Sequence, residues 1–132
     1  MECRRGFSDV QKILKNVNNK QLKAYIIWLP VLSSDNRNWA VERVKEFTDV
    51  RVRYFWDGEK LTGKIWRRVL ALEAPLAWDT YFLYNHRAHW TAEPTPPDFW
   101  MHQLNAEKKR RDIFLDVPRF ERKTRELLEQ IE

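Results

Sequence analysis

The chain has 132 residues, of which 43% are hydrophobic and 14% aromatic, so it can bury a core and most of it is not intrinsically disordered. Lys and Arg outnumber Asp and Glu by 24 to 19, a mixed balance that favours acidic partners only weakly. The single cysteine, Cys3, excludes an internal disulfide, and the longest apolar run, residues 24–32, is shorter than the roughly 20 residues of a membrane helix. We therefore expect one globular domain over residues 1–132, with no membrane segment and a cytoplasmic location.

Helical and strand patterns alternate through the first half of the chain. Apolar residues at three- and four-residue spacing predict a helix over residues 6–17, and residues 22–29 predict a strand covered on both faces. A second helix follows, and its candidate N-caps are Ser33, Ser34 and Asp35. Its apolar stripe consists of Trp39, Ala40, Val44 and Phe47.

The alternation in residues 50–56 predicts an edge strand whose wet face carries Arg51 and Arg53. Asp57 then begins a turn and is predicted to cap the third helix, in which Gly63 costs up to about 1 kcal/mol. The apolar stripe predicted for this helix consists of Leu61, Ile65, Val69 and Leu72.

Proline and turn residues divide the second half. A strand is predicted over residues 79–84, and residues 85–88 are predicted to turn it into a hairpin with His89–Thr91. The prolines of residues 94–97 predict a helix from about Asp98, and a last helix is predicted from Pro118. Strands that alternate with helices imply crossover connections, an α/β class and a mixed sheet.

Five segments in this order carry a resemblance to a known family. Cys3-Arg4-Arg5-Gly6-Phe7 resembles the second half of a Cys-x-x-Cys motif leading into a helix, and Tyr25–Leu29 resembles the strand that follows. Tyr54–Gly58 resembles the next edge strand with its acidic turn, and Tyr81–Tyr84 the first hairpin strand. Asp98–Leu104 resembles a stretch found in uncharacterised members. The chain thus resembles the thioredoxin-like superfamily, in the branch of TlpA-type thiol–disulfide oxidoreductases and peroxiredoxins.

The resemblance implies a mixed sheet flanked by helices, with residues 3–91 as its core and residues 95–132 as a C-terminal helical extension. It also implies a central first strand and a first cysteine, which the sequence lacks. We therefore expect Met1 to be an internal methionine of a longer chain; an upstream selenocysteine codon read as a stop would produce such a start. The strands at 22–29 and 79–84 are expected to border the gap, which closes, stays unpaired or is filled by a partner chain.

Cys3 is the candidate redox residue, as the resolving partner of such a pair. At the start of a helix, beside Arg4 and Arg5, its thiolate gains from the helix dipole and from positive charge. The resemblance implies an active-site loop at Pro75, Trp78 and Asp79, where the family places a cis-proline directly before the hairpin strand. Asp79 is either a proton acceptor for the cysteine or a turn acid at the start of the strand.

The other candidate residues favour structural interpretations. His86 and His89 form at most half a metal site and are predicted to be solvated turn residues, so we expect no metal and no cofactor. His102 is predicted to be packed and hydrogen-bonded. Residues 108–111 form a basic run between Glu107 and Asp112, which is better explained as a solvated helical face than as a nucleic-acid site. The tryptophans predicted to be buried are Trp28, Trp39, Trp56 and Trp100.

The sequence therefore predicts a relative of thiol–disulfide oxidoreductases without a complete dithiol site. The alternative is a non-catalytic interaction module on the same scaffold, and a basic nucleic-acid binder is the third possibility. The partner we expect is a protein thiol or disulfide, and an oligomer through an unpaired sheet edge is also consistent with the pattern.

Overall fold

A computed structural model describes residues 2–30 and 36–131, with the backbone alone for residues 2–5. Helices and strands alternate along it. The helices are α1 (Glu2–Asn16), α2 (Arg37–Val44), α3 (Leu61–Leu70) and α4 (Val117–Glu129), with a 3-10 helix over Lys108–Ile113. The strands are β1 (Ala24–Trp28), β2 (Val52–Trp56), β3 (Thr80–Leu83) and β4 (Phe99–His102). No helix in the described ranges is long and apolar enough to cross a lipid bilayer.

The strands form two small sheets. β1 and β2 are parallel, with Ala24 opposite Val52, while β3 and β4 are antiparallel, with Thr80 opposite His102. In the part of the chain that the structure describes, β1 and β3 do not pair with each other. The combination of helices with parallel and antiparallel strands agrees with the predicted α/β class, but the predicted mixed sheet is wrong for the described strands, because the parallel pair and the antiparallel pair form separate sheets.

Aromatic contacts attach α1 and α2 to one face of the first sheet. The rings of Phe7 and Trp28 meet edge to face with centroids 5.2 Å apart, and Trp28 meets Trp39 at 5.6 Å. Trp28 is buried and Trp39 is half-buried, as are the other two predicted core tryptophans, Trp56 and Trp100. The residues of the stripe predicted for the second helix all pack in this layer, although α2 ends at Val44 and Phe47 follows it.

The opposite face of the first sheet is only partly covered. Tyr25 is 64% exposed and Phe55 is 50% exposed, so the prediction that both faces of this strand are covered is wrong at Tyr25. The reason is that α3 contacts this face further along, near Ile27 and Leu29.

The second sheet packs against α1 and α4. Leu83 and Met101 share a buried cluster with Ile13 of α1 and Phe120 of α4. The predicted last helix is confirmed, with Asp116 as its N-cap.

The partner of β3 was wrongly predicted, because β3 pairs with Phe99–His102 and not with His89–Thr91. The helix predicted from Asp98 is therefore also wrong. Met101 and His102 are both fully buried, so this short run lacks the alternation that would mark a strand. The Asp98 carboxylate accepts a hydrogen bond from the Asn85 amide at 2.8 Å, which closes the long connection and brings Phe99 opposite Leu83.

Arg51 was predicted on the wet face of the edge strand, which is wrong, since only 9% of it is exposed. It lies just before β2 and turns back towards α1, whereas Arg53 is exposed as predicted. Its guanidinium donates to the carbonyl oxygens of Val17 and Leu14, and these hydrogen bonds decide the orientation. The local alternation of the sequence does not reveal such distant partners.

Helix ends differ from the predictions in detail. α1 begins at Glu2, four residues before the predicted start. The N-cap of α2 is Asn36, whose side chain accepts from the Trp39 amide at 2.9 Å, while Ser33, Ser34 and Asp35 lie outside the described residues. In α3 the buried positions are Gly63, Trp66 and Leu70, so the predicted stripe is displaced, with Leu61 53% exposed.

Candidate functional site

The first turns of α1 lie against the loop that leads into β3. Gly6 is buried, and a Cβ at this position would overlap the hydroxyl of Tyr81 and lie 3.7 Å from Oδ1 of Asp79. Only a residue without a side chain permits this approach, so close packing explains why a glycine lies within this helical turn.

Gln103, directly after β4, joins the elements that meet here. Its backbone amide donates to the carbonyl oxygen of Asp79 at 2.9 Å, and its Oε1 accepts from the Tyr81 hydroxyl at 2.7 Å. Its Nε2 lies 3.5 Å from Oδ2 of Asp9 on α1. One amide side chain thus connects α1, β3 and the end of β4.

Asp79 is half-buried and has a left-handed backbone conformation, with φ at 49°. Asp tolerates this region better than most residues with a Cβ, because its short side chain can bond locally. This backbone reversal turns the chain from the loop into β3, with the carbonyl held by Gln103. The turn at Asp79 is therefore fixed from the β4 side.

The backbone of Cys3, Arg4 and Arg5 forms the first turn of α1. Cys3 precedes Gly6 by three residues, and residues at this spacing share a helix face. The backbone of Cys3 therefore lies in the first turn of α1, at the positive end of the helix dipole. The side chains of these three residues are outside the described part of the structure.

Two contacts hold the loop between α3 and Asp79. The amide of Ala77 donates to the carbonyl of Gly63 at 3.0 Å, and the amide of Ala74 donates to the buried Glu107 carboxylate at 2.6 Å. Pro75 is exposed, and every peptide bond in the described ranges is trans. The loop is thus attached to α3 and to the segment after β4.

Trp78 is half-buried and packs against the α3 cluster, which contains Trp66, Leu70, Leu72, Ala74, Ala77 and Leu104. The structure therefore brings Asp79 to the helix that carries Cys3, while Trp78 packs towards α3 and Pro75 faces solvent at the start of the loop.

Asp57, the acidic turn of the resemblance, binds the first amides of α3 as the predicted cap would, although the N-cap position itself is Lys60. Its carboxylate accepts from the amides of Leu61 at 3.0 Å and Thr62 at 2.7 Å, and from the Thr62 hydroxyl at 2.5 Å. Partial burial raises the pKa of Asp57, but the hydrogen bonds from Thr62 and Leu61 outweigh it, so the pKa lies below its ordinary value. A carboxylate held in this way stabilises the start of the helix, and we do not assign it a role in proton transfer.

The histidines occupy the predicted environments. His86 and His89 are exposed. His102 is fully buried and hydrogen-bonded, although it lies on a strand and not on a helix. Among the residues with described side chains, no group of three or more His, Cys, Asp and Glu is arranged to hold a metal ion.

The basic run lies on the 3-10 helix, where Lys108, Lys109 and Arg111 are exposed. The Arg110 guanidinium lies over the Trp100 ring, 5.4 Å from its centroid. The Arg111 guanidinium lies over the Phe114 ring, 5.3 Å from its centroid, so the run is an exposed surface with two of its cations packed on aromatic rings.

Sequence reasoning missed Gly6, Asp9 and Gln103 as members of this site. The available signals were a glycine in a helical turn and a polar residue directly after a buried apolar run. Neither identifies its contacts, because the three residues meet only in the folded chain. Comparison with protein-family models, curated proteins and solved structures finds no match to this chain.

Proposed function

We propose that this chain is a thioredoxin-like protein related to thiol–disulfide oxidoreductases, with Cys3 as its redox-type residue. The observation that carries the proposal is the close approach of α1 at Gly6 to the loop at Asp79 and Tyr81. The resemblance implies this juxtaposition of a cysteine-bearing helix start with the loop before the hairpin. A single cysteine in 132 residues fits a reducing compartment such as the cytoplasm.

The free edge of β1 supports the thioredoxin-like arrangement. Ala24 donates to Arg51 at 3.0 Å, and Asp57 donates to Trp28 at 2.8 Å, so the even-numbered residues of β1 bond to β2. The backbone groups of Tyr25 and Ile27 consequently point away from β2. Within the described ranges no strand pairs with this edge.

β3 also has a free edge, on the side that faces away from β4. The carbonyl oxygens of Asp79 and Leu83 accept from the β4 side, so Thr80 and Phe82 direct their backbone groups away from β4. Phe82 and Ile27 both pack against the α3 cluster. The two unpaired edges thus border one apolar region, which is where the proposed fold has its central strand.

The chemistry proposed for Cys3 is thiol–disulfide exchange. The Cys3 thiolate attacks one sulfur of a disulfide, forms a mixed disulfide and releases the other sulfur as a thiolate. A second thiol, from a partner protein or from glutathione, then attacks the mixed disulfide and regenerates Cys3. With one thiol in residues 1–132, a partner must complete the cycle.

The test is exchange with glutathione disulfide at pH 7, followed by mass spectrometry. Each unit by which the fold lowers the Cys3 pKa is expected to speed adduct formation about threefold, because tenfold more thiolate is offset by its weaker nucleophilicity. The reference is the same chain unfolded in urea, and Cys3→Ser must form no adduct. A native chain that reacts no faster than the unfolded one contradicts the proposal.

The second candidate function, a non-catalytic interaction module, is favoured by the same unpaired edges of β1 and β3. Its test is self-association measured by sedimentation. Tyr25→Pro removes an amide that points away from β2 and should abolish association through this edge without breaking the ladder. Tyr25→Ala, which loses the ring but keeps the amide, is the matched control and should still associate. A chain that stays monomeric at all concentrations argues against self-association at this edge.

A further inference from the structure

The face of the first sheet opposite α1 and α2 carries two exposed aromatic rings. Tyr25 on β1 is 64% exposed and Phe55 on β2 is 50% exposed, and their ring centroids lie 6.4 Å apart. Both rings are on one face, because Tyr25 and Ile27 alternate to the same side and Ile27 lies opposite Phe55 in the register. Single exposed apolar side chains are ordinary, but two rings side by side on an uncovered sheet face form a platform on which a flat ligand can stack.

Two cations flank this aromatic platform. Arg53 lies opposite Tyr25 in the register and is exposed, and Lys23 is exposed two residues before Tyr25. Alternation along an extended chain places Lys23 on the same side as Tyr25. Among the residues with described side chains, neither cation forms a salt bridge. The face therefore presents aromatic rings together with positive charge.

Neither strand of this sheet contains an acidic residue that would oppose the positive charge. The acids next to β2 in the sequence are Asp49 and Asp57, and both are engaged elsewhere. Asp49 pairs with Arg51, and Asp57 binds the first amides of α3. The surface is therefore complementary to a ligand that is both negatively charged and made of flat rings.

We propose that this face binds single-stranded RNA, with one base stacked on Tyr25, the next on Phe55 and a phosphate at Arg53. Aromatic rings stack with any base, and a neighbouring cation attracts the phosphates. Bases in a duplex lie about 3.4 Å apart along the helix axis, closer than the 6.4 Å between the two rings, so only unstacked bases can each lie on a ring of their own. Single-stranded loops and ends of RNA supply such bases.

The proposed RNA site involves neither the basic run nor Cys3. It lies on β1 and β2, whereas residues 108–111 lie on the 3-10 helix, where two of their cations already pack on Trp100 and Phe114. No thiol takes part in binding, so Cys3→Ser should bind RNA as the wild type does. The RNA site and the redox role of Cys3 therefore stand or fall separately.

The experiment measures the fluorescence anisotropy of labelled decauridine with the wild-type chain, Tyr25→Leu and Phe55→Leu. Each variant keeps an apolar side chain but loses one ring, and it should bind about 5- to 150-fold more weakly, the range for loss of one base–aromatic stack. Trp90→Leu is the matched control and should bind normally, because its ring is 46% exposed but lies on the connection after β3. Circular dichroism confirms that each variant is folded, and if one platform variant fails to fold, the other decides.

The salt dependence of binding tests the contribution of charge. Arg53→Gln should lower the slope of log affinity against log salt concentration by about 0.7, the value for one phosphate contact on a single strand. Lys109→Gln also removes one exposed positive charge, but from the basic run, and it should leave the slope unchanged. An RNA duplex of the same length should bind more weakly than decauridine, because its bases cannot reach the rings.

Absence of binding at about 0.1 mM protein overturns the proposal, because even non-specific binding to phosphates reaches this range. Binding that both ring variants retain, or equal binding to the duplex, also overturns it, since the contact would then be to phosphates alone. Wild-type dimers that Tyr25→Leu abolishes, without any RNA binding, would assign this face to a second copy of the chain and overturn the proposal as well.

Discussion

The guanidinium of Arg51 donates a hydrogen bond from Nη2 to the carbonyl oxygen of Leu14 at 2.6 Å, which attaches the start of β2 to the last turn of α1. Nη1 donates to the carbonyls of Val17 at 2.6 Å and Asn19 at 3.3 Å. The Asp49 carboxylate accepts from the same guanidinium at 2.7 Å. The bond to Leu14 satisfies a carbonyl that the helix end leaves without a partner, and the guanidinium places a positive charge at the negative end of the dipole.

Replacement of Arg51 by Met should lower the free energy of unfolding by about 2–4 kcal/mol, because it removes the guanidinium bonds to the Leu14 and Val17 carbonyls and takes the ionic partner away from Asp49. Arg51→Lys should retain only part of the stability that Arg51→Met loses, since an ammonium group cannot reach several acceptors in one plane. Urea unfolding measures both. Arg53→Met, on the exposed side of β2, is the control and should change stability by less than about 0.5 kcal/mol. Equal losses at the two positions would contradict the assignment.

The carboxylate of Asp57 should make the free energy of unfolding depend on pH in the acidic range. Its pKa in the folded chain lies below the ordinary value of 3.8, since hydrogen bonds from Thr62 and Leu61 outweigh burial. The ionised form therefore stabilises the fold above the unfolded pKa, and this contribution disappears as the pH falls through the folded pKa.

In urea unfolding, Asp57→Asn should be less stable than the wild type by about 1 kcal/mol at pH 7, and this difference should shrink below about pH 4. Glu59→Gln, an exposed neighbour, should show no such change with pH. A difference for Asp57→Asn that is constant from pH 7 to pH 3 would mean that ionisation plays no part in the cap.

The contact between Gly6 and Tyr81 predicts a reversal of sign in a double-mutant cycle. Gly6→Ala gains helix propensity of up to about 1 kcal/mol, but its methyl group meets the Tyr81 hydroxyl, and such overpacking costs about 1–3 kcal/mol. We expect Gly6→Ala to destabilise the wild type and to stabilise Tyr81→Phe, in which the hydroxyl is absent. Chemical unfolding of the four chains checks this, and an additive result would rule out the close contact.

Both ring nitrogens of His102 form hydrogen bonds with the backbone. The Leu104 amide donates to Nδ1 at 3.0 Å, so Nδ1 carries no proton, and Nε2 donates to the Arg110 carbonyl at 2.8 Å. His102→Phe would keep an aromatic ring between Trp100 and Phe114 but leave the amide and the carbonyl without partners. We expect a loss of about 2–4 kcal/mol in urea unfolding, whereas the exposed His89→Phe should be neutral. Similar stability for both variants would contradict this role.

Local patterns predicted the elements that are long or amphipathic. The stripe from Phe120 to Ile131 marks α4, and the apolar residues of α1 mark that helix, because several turns repeat the same period. β4 could not be predicted in this way. Four enclosed residues have no period, and the pairing of Phe99 with Leu83 spans a connection whose closure depends on Asp98 and Asn85.

Prediction of the candidate site from local sequence patterns has the same limit. The resemblance brought Cys3 and Asp79 into one expected region, and the structure places Gly6, three residues from Cys3, against Asp79. The roles of Gln103 and Arg51 have no local signature, since a polar side chain after or before a strand is usually solvated. Their partners lie far away in sequence, so only the assembled fold reveals them.

The most direct test of this account is the alkylation profile of Cys3 in the wild-type chain, native and unfolded in urea. The unfolded chain should show a midpoint near the ordinary cysteine value of about 8.5. We predict that the native midpoint lies lower by at least about half a pH unit, as expected of a thiol at a fixed helix start. A native midpoint at or above the unfolded value, or a thiol that stays unreactive at every pH, would contradict a redox role for Cys3.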